Sequence, residues 1–208
     1  MTGHWAAEHV TAIVDIWYPG TQGGAAVANL LLGDVSPGGK LPFSWPRTVG
    51  QVPMIYSHTV SHEPENQRTR YWDEESSPLF PFGFGLSYGS FRYADLTLDR
   101  SELPVGESLT ASVTVTNTGD RDADEVVQLY LHQRHGSASR PVRELKGFQR
   151  VRIAAGASET VSFSIGPDER RYWSAAARDV VVEASTFDVF VGGDSTAALA
   201  ASFTTTGG

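Results

Sequence analysis

The most regular pattern along the chain lies between residues 91 and 206 and has a period of two. Leu109, Ala111, Val113 and Val115 alternate with Thr110, Ser112, Thr114 and Thr116, which predicts a strand with one apolar and one hydroxylated face. Asn117-Thr118-Gly119-Asp120 predicts the turn that closes it. The alternation returns at Val127, Leu129 and Leu131, at Val161, Phe163 and Ile165, and at Phe187, Val189 and Val191. Turn signals fall at Ala155-Gly156 and Gly192-Gly193-Asp194. With Arg92 to Leu98, Glu144 to Ile153 and Val180 to Glu183 added, about seven strands occupy about 115 residues, the pattern of a two-sheet β-sandwich.

The first ninety or so residues read differently. Ala12-Ile13-Val14-Asp15-Ile16-Trp17-Tyr18 predicts a buried strand ended by Pro19-Gly20. A helix is predicted next: Ala26, Val27, Leu30 and Leu31 recur at helical spacing, Thr21 and Gln22 lie near its start, and Gly33 sits where a left-handed stop belongs. Pro37-Gly38-Gly39-Lys40 predicts a turn leading into a strand. Strand, helix and extended segment make a piece of an α/β layer, and on its own such a piece leaves apolar surface on Ile13, Ile16 and Leu31 without partners. The stretch that follows shows no sustained period, yet it holds Tyr56, Tyr71, Trp72, Phe80, Phe82, Phe84 and Tyr88. So aromatic a connector is expected to pack across a neighbour. The expected organisation is therefore an incomplete α/β tail over 1–50, an irregular connector over 51–90 and a sandwich over 91–208.

Composition narrows this further. The 208 residues, 40% hydrophobic and 19% charged, suffice for one full domain and a partial one. Without cysteine there is no disulfide framework and no thiolate metal site, so a fibronectin type III-like sandwich is preferred to a disulfide-bridged immunoglobulin one. A net charge of −8 argues against nucleic acid as a partner. No apolar run approaches the ~20 residues of a membrane span, which predicts a soluble chain with no membrane partner. Met1-Thr2-Gly3-His4-Trp5 has neither the basic start nor the apolar stretch of a secretory signal, and the compartment stays open.

Several motifs, in order, carry a resemblance. Trp17-Tyr18-Pro19-Gly20 with Gly23-Gly24, then Leu32-Gly33-Asp34, Pro37-Gly38-Gly39-Lys40-Leu41-Pro42, Trp45-Pro46, Arg70-Tyr71-Trp72-Asp73, Pro78 to Tyr88 (PLFPFGFGLSY) and Arg140 to Phe148 (RPVRELKGF) resemble the carboxy-terminal third of glycoside hydrolase family 3 enzymes of the β-glucosidase and β-xylosidase type. The resemblance implies a parent with a barrel bearing a nucleophilic Asp, an α/β domain bearing an acid/base Glu, and a terminal fibronectin-like domain. It implies that this chain begins late in the second domain and that both catalytic carboxylates lie upstream of Trp17. No residue here matches either, so no catalytic residue and no cofactor is expected. The expected role is architectural, and β-linked glycosides would be met only through the barrel and α/β domain, in cis or in trans. Alternatives are an independent carbohydrate- or protein-binding module, or a subunit that complements a separately encoded catalytic half.

Asp73-Glu74-Glu75 beside Trp72 reads first as a solvated turn. The sharper reading makes Arg70, Trp72 and Asp73 the rim of the parent's sugar pocket, orienting a hydroxyl or stacking on a ring. Gly85-Leu86-Ser87-Tyr88-Gly89 fits G-x-S-x-G but lacks the strand before and helix after that a nucleophile elbow needs, so Ser87 is expected to satisfy local backbone. Pro37-Gly38-Gly39-Lys40 fails as a phosphate loop at both ends, having Asp34 for the first glycine and Leu41 for the hydroxyl. His58 and His62 are four apart but sit in a Pro-flanked loop, while His132 and His135 read as surface residues, so no metal is expected. The basic cluster of Arg140 to Phe148, with Glu144 inside it and Phe148 leading into a strand, predicts intramolecular docking or a sheet edge. Trp5, Trp17, Trp45 and Trp173 are expected to fill cores.

Overall fold

A computed structural model of the chain describes residues 4–60 and 74–207. Its elements in order are α1 (His4–His9), α2 (Gly23–Leu32), β1 (Phe91–Leu98), β2 (Glu102–Pro104), β3 (Leu109–Asn117), β4 (Ala123–Gln133), β5 (Glu144–Ile153), β6 (Ser158–Ile165), α3 (Pro167–Arg170), β7 (Tyr172–Ser174), β8 (Asp179–Val181), β9 (Thr186–Gly192) and β10 (Leu199–Thr206). The fold is mainly β. A three-stranded sheet of order β1-β3-β6 faces a five-stranded sheet of order β2-β10-β9-β4-β5, and β7 and β8 form a small separate ribbon.

The alternation along β3 is realised position by position. Leu109, Ala111, Val113 and Val115 are buried, and from β4, β6 and β9 they meet Val127, Leu129, Leu131, Val161, Phe163, Ile165, Phe187, Val189 and Val191 in one core. The hydroxylated face pairs across strands: Ser112 and Ser162 Oγ lie 2.9 Å apart, and Thr116 Oγ1 and Ser158 Oγ 2.8 Å. The predicted turn after β3 is tied by Asn117, fully buried, whose Nδ2 donates to the carbonyls of Arg121 (2.7 Å) and Ile153 (3.0 Å). Strands β2, β7 and β10 were not foreseen. Of these β10 matters most, because it joins β9 to β2 and stacks Phe203 on Phe187 at 5.2 Å.

The amino-terminal expectations divide. Helix α2 ends at Gly33 in the left-handed region (φ 82°), with Gly33 N–H donating to Leu30 O. The strand expected at Ala12 to Tyr18 is not formed. Residues 11–20 lie outside any strand and are exposed, and Trp17 takes a positive φ of 49° with its N–H on Asp15 Oδ1. An extended segment becomes a strand only when a neighbour accepts its backbone hydrogen bonds, and among the described residues none lies beside it. Ile13, Ile16 and Leu31 are 51%, 48% and 67% exposed, so the apolar surface expected to lack partners does lack them here.

Candidate functional site

Residues 38–46 do not enter a strand of a sheet. They run antiparallel to 79–84, joined by Leu41 N–H to Phe84 O, Gly83 N–H to Leu41 O, Trp45 N–H to Phe80 O and Leu79 N–H to Trp45 O, each 2.8 Å, with a bridge at Trp45 and Phe80. This strap packs on the outer face of the five-stranded sheet, as the aromatic content of the connector predicted. Tyr56 stacks on Phe82 at 4.0 Å and meets Tyr130 edge-on at 6.0 Å, while its hydroxyl accepts from Leu145 N–H at 3.1 Å. Gln128 reaches out from β4 and donates to the carbonyls of Gly83 (3.1 Å) and Gly193 (2.5 Å), and its own Oε1 accepts from Tyr130 Oη at 2.5 Å. Burial pushes the Tyr130 and Tyr56 phenols up from their ordinary pKa, so both stay protonated. Gly83 has φ 80°, and a Cβ there would run into Gln128, which explains a glycine in the middle of an aromatic run.

The Pro-Gly-Gly-Lys turn carries the second fastening. Lys40 Nζ donates to Glu125 Oε1 at 3.0 Å and to Gly85 O at 3.1 Å, and Tyr93 Oη donates to the same Glu125 oxygen at 2.9 Å. The Lys40 and Glu125 side chains are only 15% and 7% exposed. Burial first, then the Glu125 carboxylate, raises the Tyr93 phenol far above its usual range and keeps it a donor. Glu125 stands on the inward row of β4 with Ala123, Val127, Leu129 and Leu131, where a carboxylate must find partners or forfeit its hydration.

The remaining candidates have defined places. Arg70, Trp72, Asp73 and His62 lie outside the described residues. Glu75 is exposed and pairs with Arg47 (Nη2 to Oε2 3.1 Å), and its carbonyl accepts from Gln51 Nε2 at 2.6 Å. Ser87 Oγ donates to Gly89 O and accepts from Gly89 N–H, at 3.2 and 3.1 Å, and β1 follows it rather than a helix. His58 Nδ1 lies 3.0 Å from Thr59 O, and His132 Nδ1 2.7 Å from Pro141 O. Among the described residues no group of three His, Asp or Glu side chains is set to hold a metal, and no helix is long and apolar enough to cross a membrane.

The basic run does both things expected of it. β5 is the sheet edge, Arg143 stacks over Phe190 at 4.1 Å and donates to the carbonyls of Ser195 and Ala197, and Pro141 bridges Thr59 of the connector. The tryptophans do not fill cores as expected. Trp5, Trp17 and Trp173 are 65%, 57% and 63% exposed, Trp5 touching His9 and Trp17 the edge of Phe43, while Trp45 is half-buried against Phe43 at 5.5 Å. Exposed large apolar residues are densest in the first 35, where Ile13, Val14, Ile16, Tyr18, Leu31 and Leu32 face solvent, with others such as Val49, Val52, Leu86 and Phe148 spread along the rest of the chain.

The described residues thus form a β-sandwich clasped to an aromatic strap, with a helical lead-in whose apolar surface none of them covers. Residues 125–195 match the fibronectin type III-like domain, and residues 1–88 match the glycosyl hydrolase family 3 C-terminal domain. The chain belongs to glycoside hydrolase family 3, as its carboxy-terminal region. A periplasmic β-glucosidase of Salmonella typhimurium is 43% identical over 194 residues, covering 90% of this chain and 25% of its own length. A β-xylosidase of Formosa agariphila is 42% identical, covering 93% and 27%. A β-glucosidase structure from Erythrobacter marinus superposes with a TM-score of 0.90 at 39% identity, over 98% of this chain and 26% of that one. The chain thus spans about a quarter of the length of the curated relatives it matches.

Proposed function

We propose that this chain is the carboxy-terminal scaffold of a family 3 β-glycosidase, organised as an α/β tail over 1–50, a connector over 51–90 and a sandwich over 91–208. The observation that carries the reading is the contrast between a sandwich fastened by the strap, at Glu125 and at Tyr130, and a lead-in whose Ile13, Ile16, Tyr18, Leu31 and Leu32 stay in water. Such a surface is covered in the working enzyme by the rest of an α/β domain, in cis or in trans. Hydrolysis with retention needs two carboxyls about 5–5.5 Å apart, one to attack and one to protonate the leaving oxygen. Of the acidic groups at the strap, Glu125 is committed to Lys40 with Tyr93, Glu75 to Arg47, and Asp194, next to the Ser195 N–H that donates to Phe82 O, accepts from Thr196. The chemistry therefore belongs to the barrel and α/β domain, and Arg70, Trp72 and Asp73 line the rim of that sugar pocket.

Turnover of an aryl β-glucoside and an aryl β-xyloside by the purified 208 residues tests this. The expected rate equals the blank, and activity appears on mixing with a family 3 barrel and α/β half. Turnover by the chain alone overturns the reading. The exposed Trp173 on the β7–β8 ribbon favours a second reading, an independent carbohydrate-binding module. Quenching of tryptophan fluorescence by gluco-oligosaccharides, saturable and lost in Trp173→Ala, would establish it.

A further inference from the structure

At the end of the sandwich remote from Lys40, the inward row of β4 finishes on a second polar residue, Gln133, 5% exposed. Beside it lies a cavity lined among others by Arg140, Glu144, Lys146, Glu169 and Arg170. Three buried polar atoms of this lining have no hydrogen-bond partner in the protein: Gln133 Oε1, Arg140 Nε and Arg170 Nη1. The rest of each side chain is engaged. Gln133 Nε2 donates to His135 O at 2.8 Å, which fixes the amide with its oxygen as the free atom. Arg170, 2% exposed, donates through Nε to Gly166 O at 3.1 Å and through Nη2 to the carbonyls of Val105 and Glu107. Arg140 lies over the Tyr172 ring at 4.3 Å and pairs with Glu144 at 3.4 Å.

The chemistry of these three atoms selects the ligand. Two are N–H donors and one is an acceptor, so the ligand must accept twice and donate at least once. A halide satisfies the guanidinium groups but sets a second acceptor against Gln133 Oε1, beside the Glu144 carboxylate. A metal cation faces Arg140, Lys146 and Arg170 together. Size agrees: the space open to the centre of a water molecule is ≈ 10 Å³, room for one. Leaving each buried group unpaired is costly, which favours occupancy.

We propose that this cavity is a binding site for a single structural water, which accepts from Arg140 Nε–H and Arg170 Nη1–H and donates to Gln133 Oε1. The water ties the end of β4, the β4–β5 loop and α3 together. That loop also holds the connector, through the Pro141–Thr59 bridge and Val142 N–H to His58 O at 2.9 Å, so the site stiffens the loop on which the connector rests.

Crystals of the full chain soaked in bromide test it. The expected result is one solvent peak at hydrogen-bond distance, about 2.7–3.2 Å, from all three atoms and without bromine anomalous signal. A bromine peak, or no peak, overturns the proposal. In solution the thermal midpoint is expected to stay constant as chloride replaces a bulky anion at fixed ionic strength; a rise that grows with chloride reveals halide binding and also overturns it. Arg140→Lys keeps the charge and removes Nε, and the solvent peak is expected to weaken or disappear. An undiminished peak in that variant removes Arg140 from the site and overturns the three-ligand assignment.

Discussion

Replacing Lys40 with methionine keeps the length and apolar stem of the side chain and removes its charge. Glu125, 7% exposed, is then left with Tyr93 Oη as its remaining donor, and Gly85 O loses its partner. Breaking a buried pair from one side costs about 3–5 kcal/mol, and because the Lys40 side chain is still 15% exposed the lower end applies, about 3 kcal/mol. For a chain of this size that corresponds to a fall in the thermal midpoint of about 6–12 °C. The companion variant Lys40→Met with Glu125→Gln removes both charges, and the amide oxygen still accepts from Tyr93, so much of the loss should return. Urea titrations followed by tryptophan fluorescence and by circular dichroism, which must coincide before a single free energy is quoted, give the cycle. A coupling of at least about 2 kcal/mol is expected. Single variants that add without coupling, or a Lys40→Met effect below about 0.5 kcal/mol, refute the idea that this clasp holds strap and sandwich together.

Three further outcomes follow from the same geometry. Gly83→Ala must adopt φ 80° and displace Gln128, so a loss of about 2 kcal/mol is expected in the urea midpoint, whereas an unaffected midpoint would mean the strap does not bear on β4 as described. Asp188 is held below the usual carboxylate range by Arg134 and then Ser202, and Glu183 by Ser137 and then Tyr172. Folded pKa values below the unfolded ones, about 3.9 and 4.3, add stability that is complete above those values and lost as pH falls through the folded ones. Urea midpoints should therefore decline from about pH 4.5 downward, and less steeply in Asp188→Asn; equal slopes contradict the assignment. Ile16→Ser with Leu31→Ser should leave stability within about 0.5 kcal/mol while lowering self-association in sedimentation velocity, because both side chains are in water.

The parts of this fold that could be read in advance are those where neighbours along the chain decide the outcome. β3 announces itself because its two faces differ chemically at every step, and α2 because a glycine stands one residue past its last apolar position. The parts that could not be read depend on distant pairing. β10 runs Leu-Ala-Ala-Ser-Phe-Thr-Thr-Thr, too small and polar to show alternation, and becomes a strand because β9 lies antiparallel on one side and β2 parallel on the other. Ala12 to Tyr18 errs in the opposite direction: its local pattern is a strand's, but no described segment pairs with it. The exposure of Trp5, Trp17 and Trp173 is illegible in the sequence for the same reason, since burial is a property of what comes to lie alongside.

The two polar clusters share one cue that was present in the sequence. Counting inward positions of β4 by twos gives Ala123, Glu125, Val127, Leu129, Leu131 and Gln133, an apolar row with a carboxylate near one end and an amide at the other. Polar groups on a core face require partners: Glu125 has found its own outside its sheet, whereas Gln133 bonds His135 O through its amide nitrogen and turns an unpartnered oxygen to the cavity. Glu125 takes Lys40 from the strap, 85 residues away, and Tyr93 from β1, while Gln133 shares its cavity with Arg140 of the β4–β5 loop and Arg170 of α3. The core of β4 supplies the packing. Its polar ends fasten what lies outside the sheet: Glu125 holds the strap through Lys40, and Gln133 bonds His135 O at the start of the β4–β5 loop, whose Pro141 and Val142 meet Thr59 and His58 of the connector.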